Sequence, residues 1–170
     1  MAYAVLPLNE SHNRQDFDCG VPILNRYLHQ RAGQDIRRYY TALFVAVEDV
    51  TGKVLGYYTL SNTSVNLSDI PDSLKKFLPK YAEIPAIRLG RLAVDKKVQN
   101  QGLGVSLVAN AALRSMSNVS AWAIMVVDAK DENACSFYRQ CGFSELLDDK
   151  MHLYIMRKEL DAFVLAESRK

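Results

Sequence analysis

The stretch Val94-Asp95-Lys96-Lys97-Val98-Gln99-Asn100-Gln101-Gly102-Leu103-Gly104 decides how the chain is read. Before it, Ile87 to Val94 reads as a strand. After it, Leu103, Leu107, Val108, Ala111 and Ala112 recur at helical spacing as far as Ser117. A strand therefore passes through a polar loop into an amphipathic helix that opens on glycines. Backbone N–H groups at a helix start lack intrahelical partners and carry the positive end of the helix dipole. Glycine removes the Cβ atoms that would hold a diphosphate away from them. The Gln99-x-x-Gly102-x-Gly104 spacing describes an anion cradle, or a glycine-tolerant helix start with no ligand. It lacks the Gly-Lys-Ser/Thr ending of a Walker loop and the third glycine of a dinucleotide fingerprint.

Towards the N-terminus, Tyr3 to Leu8 reads as a strand. Val21 to Arg37 reads as a helix with Pro22 in its first turn and Ile23, Leu24, Tyr27 and Leu28 on one face. Leu43 to Val47 and Val54 to Val65 are strands joined by a turn at Thr51-Gly52. Ser61 to Pro85, punctuated by Pro71, Pro79 and Pro85, is the long irregular region, with one short helix packing Leu74, Phe77 and Leu78 on a core. Beyond the central helix come a strand from Trp122 to Val127, a helix from Glu132 to Cys141 closed by Gly142, and a strand from Met151 to Arg157. The order is β, α, a β meander, then β-α-β-α-β, with room for a right-handed crossover. An α/β (α+β) fold follows, with a mixed central sheet of six to seven strands and helices on both faces.

The 170 residues suit one domain, expected over 1–160 with a C-terminal tail over 161–170. With 49% apolar and 24% charged residues, the composition is that of an ordinary globular chain. The formal charge of +2 is too small to indicate nucleic-acid binding by itself, so any such case rests on local clusters. The longest apolar run, Ala121 to Val127, is far short of the roughly 20 residues a membrane span needs. Three cysteines, Cys19, Cys135 and Cys141, form no close pair. They argue against a disulfide framework and a zinc site, and for a reducing cytosol.

Downstream of the cradle lies Phe137-Tyr138-Arg139-Gln140-Cys141-Gly142-Phe143. If the two flanking strands are neighbours, Tyr138 stands beside the loop-to-helix junction. A tyrosine there can donate a proton to a departing thiolate, or be a core aromatic with a satisfied hydroxyl. The two motifs together resemble the GNAT acyl-CoA N-acyltransferase superfamily. Its loop of the form Gln/Arg-x-x-Gly-x-Gly/Ala is matched by Gln99, Gly102 and Gly104, and its Tyr-x-x-x-Gly-Phe by Tyr138, Gly142 and Phe143. A narrower resemblance spans nearly the whole chain. It rests on Phe17-Asp18-Cys19-Gly20, Leu24-Asn25-Arg26-Tyr27-Leu28, Gly56-Tyr57-Tyr58-Thr59-Leu60-Ser61, Leu89 to Asp95 and Val127-Asp128-Ala129-Lys130-Asp131. The chain is similar to the GNAT toxins of bacterial toxin–antitoxin pairs, the TacT/AtaT-like group.

The resemblance implies the GNAT fold, with splayed parallel strands at the acyl-CoA site, and acetyl-CoA as acyl donor without a metal. The backbone of Leu92, Ala93 and Val94 would bond the pantetheine arm. The amides of Gln99, Asn100, Gln101, Gly102, Leu103 and Gly104 would hold the pyrophosphate, and Tyr138 would protonate the leaving thiolate in a direct transfer. Many members place an asparagine seven residues before the tyrosine. Asp131 stands there and Asn133 follows two residues on, so an Asn133 contact with the cofactor departs from the pattern. Members of the toxin group acetylate the free amine of aminoacyl-tRNA in the cytoplasm and block translation. A ribbon-helix-helix antitoxin holds them inactive. They are often dimers, which leaves a homodimer open here. No dedicated base is required, since an α-amine has a pKa near 8 and an esterified amino acid's is lower. Glu83 is a candidate base or a solvated loop charge.

Charge is clustered. Five arginines lie between Arg14 and Arg38, and seven bases between Lys75 and Lys97. Arg26, Arg37, Arg38, Lys75, Lys76, Arg88 and Arg91 are the candidates for contacting tRNA phosphates. Two other functions fit the sequence: a GNAT enzyme for a small-molecule or protein amine, and a silent module that binds acyl-CoA or an antitoxin.

Overall fold

The computed structural model describes residues 2–170. The elements run β1 (Tyr3–Pro7), α1 (Pro22–Arg26), a π-helical turn (Tyr27–Arg31), α2 (Ala32–Arg37), β2 (Ala42–Glu48), β3 (Val54–Asn66), α3 (Asp72–Lys75) and β4 (Glu83–Val94). They continue with α4 (Leu103–Met116), β5 (Ile124–Asp128), α5 (Glu132–Gln140), β6 (Ser144–Glu145), β7 (His152–Met156) and α6 (Arg157–Glu167). The strand order is β1-β2-β3-β4-β5-β7-β6. Strand β2 pairs antiparallel with β1 and β3, β5 pairs antiparallel with β7, and β4 and β5 are parallel. A parallel pair needs a crossover, and α4 supplies it. The chain clusters into two compact units, neither contiguous in sequence. One runs to Ser61 and adds Gly90–Ala111; the other joins Asn62–Leu89 to Ala112–Lys170.

In the first unit, adjacent residues of β3 show why helices lie on both faces. Side chains alternate along a strand, so Tyr57 and Tyr58 point to opposite sides. Both are fully buried. The Tyr57 hydroxyl donates to the Leu24 carbonyl of α1 at 2.8 Å, and the Tyr58 hydroxyl donates to Asn110 of α4 at 2.7 Å. Around Tyr57 gather Phe17, Tyr27, Leu28, Ala32 and Val45. On the other side α4 buries Leu107, Val108 and Ala111 completely. Ile23, expected on the buried face of the first helix, is 70% exposed; from that turn only Val21 and Leu24 join the cluster. The expected single helix is continuous in path but contains the π-helical turn, which places Tyr27 and Leu28 on the core side.

Helix α2 ends in a Schellman arrangement: the Tyr39 N–H donates to Ile36 and the Tyr40 N–H to Asp35. The left-handed position of that motif is ordinarily glycine. Here it is Tyr39, with φ 61° and its side chain 96% exposed.

In the second unit, Ile124 to Val127 of β5 is buried on both faces, as its unbroken apolar sequence requires. Val126 and Tyr154 pack with Val65, Ile70, Ile84 and Leu146. The long irregular region is shorter than expected because β3 extends to Asn66 and β4 begins at Glu83. Leu74 of α3 and Leu78 just past it do pack on this core, but Phe77 is 74% exposed beneath the Lys76 ammonium. Two elements carry signals too short or too local to read: two-residue β6, and α6, which begins where a strand end and tail were expected. Leu160 of α6 is fully buried, and Glu159 caps the helix by accepting the Met156 N–H.

Gly56 sits where β3 meets α4. A Cβ there would stand 3.0 Å from the Ala93 carbonyl oxygen and 3.0 Å from Leu107. Backbone cannot withdraw as a side chain can, so Gly56→Ala lowers stability by about 1–3 kcal/mol in urea unfolding. An unchanged midpoint would show that the strand and helix are not held this close.

Candidate active site

The loop from β4 to α4 is fixed by side chains that turn inward. The Asp95 N–H donates to Leu55 at 2.8 Å. The buried Asp95 carboxylate accepts the N–H groups of Asp18 and Lys97, each at 3.0 Å. Gln99, a candidate cofactor ligand, directs its side-chain amide to the carbonyls of Val94 (2.9 Å) and Cys19 (3.0 Å). Its side chain is a brace, which leaves only its backbone for a ligand. Gln101 reaches the Lys97 carbonyl at 3.4 Å. Asn100 and Gly102 both have positive φ, 60° and 85°, turning the chain sharply before the helix. The first helical bond is Ser106 N–H to the Gly102 carbonyl. The N–H groups of Gly102, Leu103, Gly104 and Val105 therefore precede any intrahelical partner. Nothing lies within 4 Å of where a Gly102 Cβ would stand, while the Leu103 side chain is buried and anchors the turn. An anion can approach this concavity against bare backbone.

Upstream, the β4–β5 register runs from Ala86↔Ile124 to Leu89↔Val127. Leu92, Ala93 and Val94 lie past it on β4. Between them, Gly90 leaves room for the Thr59 hydroxyl, which accepts the Arg91 N–H at 2.9 Å and diverts it from the ladder. Thr59 belongs to β3, so this break lies on the β3 side of β4.

Asp18 is the hub of the adjoining loop. It accepts from Lys96 (2.6 Å), the Gly20 N–H (2.8 Å) and Asn25 (2.8 Å). The Lys96 ammonium, then the Gly20 and Asn25 donors, hold its carboxyl down at about 2. Asp18, Lys96, Asn25 and Arg26 line an open depression of about 520 Å³. The sequence motif Phe17-Asp18-Cys19-Gly20 marked this place without revealing that Asp18 and Asp95 lock the loop together.

Tyr138 lies in the second unit, on α5. Its ring is buried edge-on to Phe137 and Phe143. Burial pushes its hydroxyl well above the ordinary tyrosine range. Among the described residues its hydroxyl has no hydrogen-bond partner. It is a neutral phenol with its proton available. Asp131 caps α5 by accepting the Ala134 N–H at 2.8 Å, and Asn133 is exposed in the first turn. Cys135 and Cys141 are buried, and burial raises both thiols, Cys141 to about 11, so neither is a ready nucleophile. Glu83 is exposed and accepts from Ser64.

The basic candidates divide. Arg26, Arg37 and Arg38 are exposed in the first unit, whereas Arg91 is half-buried, its guanidinium 3.6 Å from the Tyr27 ring centroid. In the second unit Lys75 pairs with Asp72 at 3.0 Å, Lys76 covers Phe77, and Arg88 faces Asp128 at 3.8 Å. Among the described residues no three His, Cys, Asp or Glu side chains converge as a metal would require. No helix there is long and apolar enough to cross a membrane.

Comparison with known proteins places these features. The acetyltransferase (GNAT) domain family matches residues 40–145. A Mycobacterium tuberculosis (strain ATCC 25618 / H37Rv) protein named tRNA-acetylating toxin is 31% identical over 160 residues, covering 92% of this chain and 93% of its own. The solved structure of AtaT complexed with acetyl-methionyl-tRNAfMet has a TM-score of 0.86 at 30% identity, covering 95% of this chain and 98% of that one. A tyrosine-to-phenylalanine mutant of AtaT, bound to the C-terminus of the antitoxin AtaR and acetyl-CoA, has a TM-score of 0.79 at 27% identity, covering 94% and 96%.

The depressed Asp18 carboxyl ties stability to acid. Its folded value lies below the unfolded one, so its contribution is complete above about pH 4 and fades as pH falls toward about 2. Asp18→Asn is expected to be less stable than the wild type in urea at pH 6, with the gap reduced to about a third at pH 2.5 and closing only below about pH 2. A gap that persists unchanged at pH 2.5 would mean the carboxylate's charge is not what secures the loop.

Proposed function

The chain belongs to the acetyltransferase (GNAT) family, and on that premise we propose that it is a toxin that acetylates the α-amine of aminoacyl-tRNA and so blocks translation. It is an acetyl-CoA-dependent N-acetyltransferase. One observation carries the substrate reading: the likeness to a tRNA-acetylating toxin extends over 92% of this chain, not over the cofactor loop alone. The AtaT structure with acetyl-methionyl-tRNAfMet supports the same acceptor.

The diphosphate of acetyl-CoA docks on the amides of Gly102 to Val105, which Asp95 and Gln99 keep turned outward. The backbone of Leu92, Ala93 and Val94 takes the pantetheine arm. The acceptor's amine is partly neutral at pH 7 and attacks the thioester carbon directly. As the tetrahedral intermediate collapses, the C–S bond breaks and the Tyr138 hydroxyl gives its proton to the departing sulfur. The proton lost by the amine returns through solvent to the phenolate. Burial keeps Tyr138 a neutral phenol at pH 7, so its proton is present when the C–S bond breaks. Arg26, Arg37 and Arg38 are free to meet tRNA phosphates, more so than Lys75, Arg88 or Arg91, whose charges already have partners. An antitoxin peptide partner follows from the AtaT–AtaR likeness, and a cytoplasmic site of action from the substrate.

Tyr138→Phe tests the mechanism without disturbing the fold, since the hydroxyl has no partner to lose. Transfer of labelled acetyl to charged tRNA should fall by about 10²–10⁴-fold, with acetyl-CoA binding unchanged. Uncharged tRNA should accept nothing. A Tyr138→Phe enzyme at full rate removes the phenol from the reaction, and a wild type active on polyamines but not on charged tRNA moves the chain to the small-amine class.

A further inference from the structure

The most exposed aromatic surface of the first unit stands beside arginines that the structure leaves unpaired. Tyr39 and Tyr40 follow directly on Arg37 and Arg38 at the end of α2, with 96% and 76% of their surfaces exposed. Neither ring packs on another ring or donates its hydroxyl among the described residues. Tyr39 occupies the left-handed position of the Schellman arrangement, where glycine is the unstrained choice. Packing does not explain a tyrosine there, and backbone conformation opposes one.

The charges around it are equally one-sided. The guanidinium groups of Arg37 and Arg14 both lie within 4 Å of the point a Gly33 Cβ would occupy, at 3.3 and 3.8 Å. No carboxylate pairs with either among the described residues. Asp35, the nearest acid on the helix, turns inward to accept the Tyr27 hydroxyl at 3.0 Å. Arg38 packs on the side-chain amide of Gln34. Two converging cations without a counter-charge call for an anion, and two exposed rings about 9 Å farther along the same helix call for flat partners. Unpaired nucleotides supply both, because every base has a stacking face and every link a phosphate. A protein partner of acidic chemistry would satisfy the arginines and leave the adjacent open rings unexplained.

We propose that Tyr39 and Tyr40, which follow Arg37 and Arg38 at the end of α2, form a stacking platform for unpaired nucleotides of the tRNA substrate, with Arg37 and Arg14 meeting a phosphate farther back along the helix. The proposal rests on the aminoacyl-tRNA reading but stands at residues outside the acetyl-CoA site.

The test compares wild type with the double variant Tyr39→Gly/Tyr40→Ala, and with Tyr39→Trp. Glycine relieves the left-handed strain, so the double variant should fold, which a thermal melt verifies. Two readouts are taken: anisotropy of a labelled single-stranded RNA ending in CCA, and steady-state acetylation of charged tRNA. The platform predicts that the double variant binds the oligonucleotide at least about tenfold more weakly and raises KM for charged tRNA by a similar factor. It also predicts that kcat and acetyl-CoA binding are retained, and that Tyr39→Trp behaves as wild type. Equal oligonucleotide binding by wild type and double variant overturns the platform. So does a double variant that keeps RNA binding and loses only an acidic antitoxin peptide. If wild type acetylates no charged tRNA, the aminoacyl-tRNA reading fails separately, while a tenfold difference in oligonucleotide binding still upholds the platform.

Discussion

The amides of Gly102 to Val105 are useful only because the loop before them cannot fold back and satisfy them. Four unpaired N–H groups open every α-helix, and most are covered by a capping side chain or by water. Here two polar side chains of the loop are committed elsewhere: Asp95 to the amides of Asp18 and Lys97, and Gln99 to the carbonyls of Val94 and Cys19. Asn100 and Gly102 in left-handed conformations then turn the chain so that the helix begins abruptly with a bare face. The remainder of the first unit supports this arrangement. Leu103 and Leu107 of α4 press on Gly56 of β3, and Asp18 with Lys96 draws the loop before α1 against the same turn.

The second unit positions a side chain by a different principle. Tyr138 is held by ring packing and burial rather than by a hydrogen bond. Its hydroxyl has no hydrogen-bond partner among the described residues, as the general acid proposed above requires. Tyr57 and Tyr58 show the contrast, since each hydroxyl is tied to a helix on one face of the sheet. Of the three tyrosines, two hold helices in place, and the hydroxyl of the third, the proposed general acid, is tied to neither.

Much of this was legible in the sequence, because the strand–loop–helix signal around Gly102 is local and the apolar runs of β2, β3 and β5 are unambiguous. A mixed sheet of six to seven strands followed from it; the reading of the loop as an acetyl-CoA site came from the family resemblance. Other features depend on contacts distant in sequence. Nothing local shows that Gln99 braces the loop with its side chain, since its partner Cys19 is 80 residues away. Strand β6 is two residues long, too short for periodicity to register, and α6 starts without a capping Ser, Thr, Asp or Asn. Ile23 and Phe77 are apolar residues left outside the core, and a pattern of apolar residues cannot tell a buried face from an exposed one. Tyr39 and Tyr40 were hidden for the opposite reason: the charge count noticed their arginines, and only the structure shows the rings exposed.

The account stands on the diphosphate meeting those four amides, and amide-resolved ¹⁵N–¹H spectra read that contact directly. Titration with coenzyme A should shift the Gly102, Leu103, Gly104 and Val105 resonances together and slow their hydrogen exchange. Pantetheine, which lacks the diphosphate, should leave them where they were. If coenzyme A moves other amides and not these, or if pantetheine moves these equally, the diphosphate is held elsewhere and the account is contradicted.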